Sequence, residues 1–292
     1  VDSPSSGPIL SRRRFLGLTG AGLGGLALAG CGGGTEEERA ASKFFSDQTI
    51  VADGRPQRTV WSLTDDEGNL GDLAPESIDY LVLDPSGSEI SAGAARRHLD
   101  GVAQPYYRVD VAFGETGVHE FRFATEDHGR HVGFAVPGDP ADSTLFWPGD
   151  TFPSVVTPTF DDNAGIERIC TRTETCPFHG ISLDQSIASE RGTVLIVTTP
   201  AFCGTVFMCG PVLEILIEEA AESPLDLDII HGEVYVDPDT DLDRLAPIVE
   251  ASGVTYEPYL FVLDRDGTVV SRLDHIWDRA ELRGALAAES IN

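Results

Sequence analysis

Apolar residues recur with period two through the first half of this chain, and the rhythm changes after about residue 150. Tyr107, Val109, Val111 and Phe113 alternate with Arg108 and Asp110, Phe121 and Phe123 with Glu120 and Arg122, and Val132, Phe134 and Val136 repeat the pattern. Successive strand residues face opposite sides of a sheet, so this alternation predicts half-buried strands. Val60–Leu63 and Ile78–Leu83 add two more. Asp84-Pro85-Ser86-Gly87, Gly114-Glu115-Thr116-Gly117 and Asp127-His128-Gly129 supply turns between them. Short strands with this punctuation predict an antiparallel β-sandwich over residues 48–146. His98, His119, His128 and His131 are scattered through it and mark no site.

The second half reads differently. Thr193–Thr198 is a continuous apolar run, as expected of a strand buried on both faces. After Cys209-Gly210-Pro211 a helix is expected, with Val212, Leu213, Leu216, Ile217 and Ala220 on its apolar face and Glu214, Glu218, Glu219 and Glu222 outside. Residues 225–236 hold a further strand. Leu242, Leu245, Ile248 and Val249 have helical spacing, with Pro247 as a kink. Tyr259–Leu263 and Thr268–Leu273 read as strands joined by Asp264-Arg265-Asp266-Gly267. A last helix starts at Asp278, with Glu281 completing a capping box and Trp277 and Leu282 forming its staple.

The N-terminus reads as an address. Ser11-Arg12-Arg13-Arg14-Phe15-Leu16 and the apolar, Gly-rich stretch behind it resemble a twin-arginine export signal, with Arg12 and Arg13 as the pair. The stretch ends Leu28-Ala29-Gly30-Cys31, which resembles a lipobox. The resemblance implies a signal peptide over residues 1–30, lipidation of Cys31, and a chain anchored by lipid outside the cytoplasmic membrane. Residues 31–47, Gly-rich and then charged, read as a flexible tether. The formal net charge of −28 excludes nucleic acid as a partner, because phosphate backbones need clustered Lys and Arg. Of five cysteines, four remain for the exported part: Cys170, Cys176, Cys203 and Cys209.

The order of strand, Cys-bearing loop, helix, strand, helix, hairpin and helix resembles the thioredoxin superfamily. Val197-Thr198-Thr199-Pro200-Ala201-Phe202-Cys203 is similar to the approach to that family's active cysteine, and Glu257-Pro258-Tyr259-Leu260-Phe261-Val262 to its cis-proline segment. The resemblance covers residues 150–290. It implies an α/β thioredoxin-like domain behind a β-rich front part, as in thioredoxin-domain lipoproteins of high-GC Gram-positive bacteria; the strand and turn pattern makes that front part an immunoglobulin-like β-sandwich in expectation. It also implies catalysis by Cys203 as nucleophile and Cys209 as resolving cysteine, with Glu257 and Pro258 holding the substrate strand. The spacing departs from the family: five residues, not two, separate Cys203 from Cys209.

Cys170 and Cys176, again five residues apart, read as a structural disulfide, with a second redox pair as the sharper alternative. A metal site with His179 as third ligand ranks last, since close thiols oxidise outside the cytoplasm. The function expected is thiol–disulfide exchange with protein thiols and disulfides, coupled to a membrane or exported electron donor or acceptor. No cofactor and no metal are required. Two alternatives stand beside it. A Sco-type copper chaperone needs a His near Gly253–Pro258, where there is none, and His231 and His275 lie elsewhere. A redox-silent binding lipoprotein with structural disulfides needs no further residues. A peroxiredoxin is disfavoured, because Pro200 stands where that family places Thr.

Overall fold

The computed structural model describes residues 38–125, 128–189, 191–201, 208–222 and 226–288. Arg12, Arg13, Cys31 and Cys203 lie outside them. The described residues belong to one unit spanning Glu36–Asn292.

The front half contains β1 (Glu38–Lys43), β2 (Pro56–Asp65), β3 (Gly68–Asn69), β4 (Ser77–Leu83), β5 (Glu89–His98), β6 (Tyr106–Ala112), β7 (His119–Thr125) and β8 (Gly129–Ala135). Their order is β1-β8-β7-β4-β5-β6-β2-β3, and β1 also pairs with β2. The sheet therefore closes on itself as a seven-stranded barrel with β3 appended. β1 is the closing stave, parallel to β8 and antiparallel to β2. Inside, the ring of Trp61 lies 4.4 Å from that of Phe121 and 5.5 Å from that of Phe123. Tyr107, Val109, Val111, Leu63 and Ile78 are among the other side chains that fill it.

The second half contains α1 (Leu183–Ala188), β9 (Gly192–Val197), α2 (Cys209–Glu222), β10 (Leu227–Gly232), β11 (Tyr235–Asp237), β12 (Asp241–Leu245), α3 (Pro247–Ser252), β13 (Tyr259–Leu263), β14 (Val269–Asp274) and α4 (Arg279–Ala287). Four strands form a sheet of order β10-β9-β13-β14, and β11 and β12 form a separate two-stranded ribbon. All six residues of β9 are buried, as its apolar run requires. Among the described residues no helix is long and apolar enough to cross a membrane.

The expected fold class is thereby corrected. The chain does not divide into an immunoglobulin-like sandwich and an α/β thioredoxin-like domain. Among the described residues it is mostly β, a closed barrel with further sheets, and the helices are few: α1 and α3 have six residues each, and only α2 exceeds nine. Two local causes are visible. Residues 38–43, expected as tether, form the strand that removes the edges a sandwich would keep; Ala41 packs on the barrel core. Residues 241–245, expected as helix, form β12, because the Asp237 carboxylate accepts the Thr240 N–H and turns the chain into a hairpin. Pro247 then opens α3 as a first-turn residue and kinks nothing.

The barrel's outer face packs on the second half. Arg58 and Val60 alternate with the inward Thr59 and Trp61, and Val60 and Tyr106 join the core built around α2, α4 and the four-stranded sheet. The Arg58 guanidinium meets the Glu281 carboxylate in two parallel hydrogen bonds, 2.8 and 2.6 Å. It also donates to the carbonyl oxygens of Asp274 and Ile276. Tyr106 Oη donates to Glu281 and accepts the Asp278 N–H at 2.8 Å. Asp278 caps α4 as expected, its side chain accepting from Glu281 N. The Glu281 side chain does not reach back to complete a capping box, because the barrel arginine claims it.

Candidate functional site

The four-stranded sheet brings two groups of reactive side chains to either side of Thr198 and Thr199, at the end of β9. The first surrounds Cys209, the first residue of α2. Cys209 is fully buried and disulfide-bonded. Its Sγ lies 3.7 Å from Glu257 Oε2. The same carboxylate oxygen accepts the backbone N–H of Thr199 at 2.5 Å. Burial pushes the Glu257 carboxyl up to about 7, against the pull of that N–H. The Glu257–Pro258 peptide is cis, and Pro258 is buried at the start of β13. Glu257 and Cys209 are thus brought together, with Pro258 next to Glu257 in the chain; Cys203, the expected nucleophile, falls outside the described residues.

The second group lies across the strand end. Cys170, Cys176 and His179 sit on the irregular segment before α1, and His231 is the fifth residue of β10. All four are buried, and one ligand atom from each falls within 4.8 Å of all the others. Cys176 Sγ is 3.4 Å from His179 Nε2 and 3.3 Å from His231 Nδ1. The Cys176 N–H points at Cys170 Sγ at 3.5 Å. Each imidazole turns its other nitrogen to a backbone carbonyl: His231 Nε2 to Thr198 at 3.0 Å and His179 Nδ1 to Pro158 at 3.4 Å. The loop is fastened to β10 by His231 N–H donating to Phe178 O.

Cys170 and Cys176 are free thiols here, not the expected structural disulfide. Both sulfurs lie beside two imidazoles, one of which comes from a distant strand. A hydrogen bond from the Cys176 thiol lowers the Cys170 pKa, and the same contact raises that of Cys176. Burial works to lower the His231 imidazole, but the neighbouring Cys170 sulfur and Glu233 carboxyl outweigh it and the net direction is up. Glu233 accepts the Thr171 N–H, and burial raises its carboxyl to about 7.

The spacing of Cys170, Cys176 and His179 was visible in sequence; the role of His231 was not. Its signal was a polar ring in the apolar run Ile229-Ile230-His231-Gly232. Among the scattered barrel histidines, His131 is buried with Nε2 at 2.9 Å from Thr64 O, a structural contact.

No protein-family model matches the chain, and no curated protein matches it. Among solved structures, the crystal structure of the Lin-41 filamin domain is similar over 34% of this chain and 92% of its own, at 11% identity and a TM-score of 0.24. That likeness carries no argument about family or activity.

Proposed function

We propose that this chain is a thiol–disulfide oxidoreductase whose working disulfide includes Cys209, with Cys203 as the partner sulfur. The observation that carries the reading is the contact between the buried Cys209 sulfur and the Glu257 carboxyl, which sits near neutrality. A working dithiol must take up and release a proton at its inner sulfur, and a carboxyl poised near pH 7 suits that exchange. Full burial of Cys209 suits the resolving role, since a substrate cannot reach it directly.

In the oxidising direction a substrate thiolate attacks Cys203. The protein's S–S bond breaks, and its electron pair leaves on Cys209 sulfur, which takes the Glu257 proton. A second substrate thiolate then attacks the mixed disulfide and releases Cys203. The substrate dithiol becomes a disulfide, and the protein disulfide becomes a dithiol; reduction of a substrate runs the same steps backwards. The sequence at Arg12, Arg13 and Cys31 supports placing this chemistry outside the cytoplasmic membrane on a lipid anchor, where partners are exported protein thiols and a membrane or exported electron carrier.

The test is a redox titration of the chain across dithiothreitol and glutathione buffers, with alkylation and peptide mapping of Cys209. A reversible midpoint between roughly −120 and −270 mV supports exchange, whereas a disulfide still intact below about −300 mV is structural and ends the proposal.

A further inference from the structure

We infer that Cys170, Cys176, His179 and His231 form a closed binding site for a Zn2+ ion. The inference does not rest on exchange at Cys209, with which the cluster shares no ligand.

Four observations carry it. The donor set is two sulfurs and two imidazole nitrogens, a common tetrahedral zinc set. Zinc bonds of about 2.3 Å to sulfur and about 2.0–2.1 Å to nitrogen set the N···S edge of a tetrahedron near 3.6 Å. The observed edges, 3.4 Å to His179 and 3.3 Å to His231, need only tenths of an ångström of adjustment.

The rings are also oriented as ligands are. Carbonyl oxygens accept and never donate, so Thr198 and Pro158 place the N–H on His231 Nε2 and His179 Nδ1. The opposite nitrogens, His231 Nδ1 and His179 Nε2, face the sulfurs. Backbone carbonyls on the outer nitrogen are the usual support of a metal-bound histidine.

Burial decides the ion's charge and the type of site. All four residues are buried, so the site has no open position for substrate and is of the structural kind. Zn2+ with two thiolates and two neutral imidazoles is electrically neutral, which a buried site favours over a net charge. A monovalent soft ion such as Cu+ would leave one negative charge beside the Glu233 carboxyl. On binding, the two thiols release two protons to solvent as two zinc–sulfur bonds form.

The placement gives the ion a mechanical role. It would fasten the irregular segment 170–179 to β10, and through His231 to the Thr198 carbonyl, one residue before the Thr199 N–H that holds Glu257.

The full chain, without a histidine tag and purified under a thiol reductant, tests this by elemental mass spectrometry after dialysis against Zn2+. The expected result is about one zinc per chain, falling at least tenfold in Cys176→Ser and in His231→Gln and unchanged in Cys209→Ser. Because the first two variants can fail to fold, wild-type protein loaded with Co2+ is the second measurement. Thiolate-to-cobalt charge transfer and the intense visible bands of a tetrahedral ion are expected. Uptake of Cu+ but not Zn2+ would overturn the assignment. So would a metal-free folded chain with a Cys170–Cys176 disulfide, or zinc retained in folded Cys176→Ser. Loss of zinc with an unchanged Cys209 titration separates this inference from the proposed function.

Discussion

Arg58, on the outer face of the barrel, and Glu281, in the first turn of α4, form a two-bonded ion pair at 2.8 and 2.6 Å. The Glu281 side chain is 2% exposed and that of Arg58 11%, so this is a buried pair across the seam between the two halves of the fold. Removing one partner strands a buried charge. Glu281→Ala is expected to cost about 3–5 kcal/mol in urea unfolding, whereas the double change Arg58→Met with Glu281→Leu costs much less. Equal losses would show that the seam gains from charge rather than from satisfied burial.

The same pair sets an acid limit. Burial works to raise the Glu281 carboxyl, but the Arg58 charge and its hydrogen bonds win and hold it at about 2, against an ordinary 4.5. A carboxyl depressed on folding contributes stability that is complete above its unfolded pKa and is lost as pH falls towards the folded value. The urea midpoint should therefore drop between about pH 4.5 and pH 2, and the Glu281-specific share of that drop should vanish in the double variant.

Glu257 behaves with the opposite sign. Its carboxyl is raised by burial from 4.5 to about 7, so the folded state holds a proton that the unfolded state has released. This group lowers stability as pH rises from about 4.5 to 7. Glu257→Gln should flatten that slope. In a thiol-exchange assay the wild-type pH–rate profile should show an inflection near 7 that the variant lacks; an identical profile would remove Glu257 from proton handling.

Gly133 on β8 lies under the indole of Trp61. A Cβ there would fall 2.2 Å from the ring, so Gly133→Ala must displace the largest side chain of the barrel core. A loss of about 1–3 kcal/mol is expected, with a shift in Trp emission that reports the displaced ring. Gly114, whose Cβ would meet nothing within 4 Å, is the control.

Local signals carried much of this structure. The alternation at Tyr107–Phe113, the apolar run at 193–198 and the Asp278 cap each specify their element within a few residues, and each element forms. What the sequence concealed was non-local. β1 carries little alternation and follows a Gly-Glu segment that dominates the composition of its neighbourhood. Its strand identity comes from partners on β2 and β8. The same holds for the site. Cys170 and Cys176 look like a disulfide when read alone, and only the register of β10 brings His231, 55 residues beyond Cys176, to the sulfurs. Glu281 reads as a capping residue, yet its carboxylate serves Arg58, which is 223 positions away.

The closing stave has a consequence for synthesis. β1 is made first, but its parallel partner, β8, ends at Ala135. A ribosome must therefore release about ninety further residues, a long loop to close, before the barrel can shut. Until then the edge of β1 that β8 will cover stays open to hydrogen bonding, and through it the nascent chain can pair with another copy of itself.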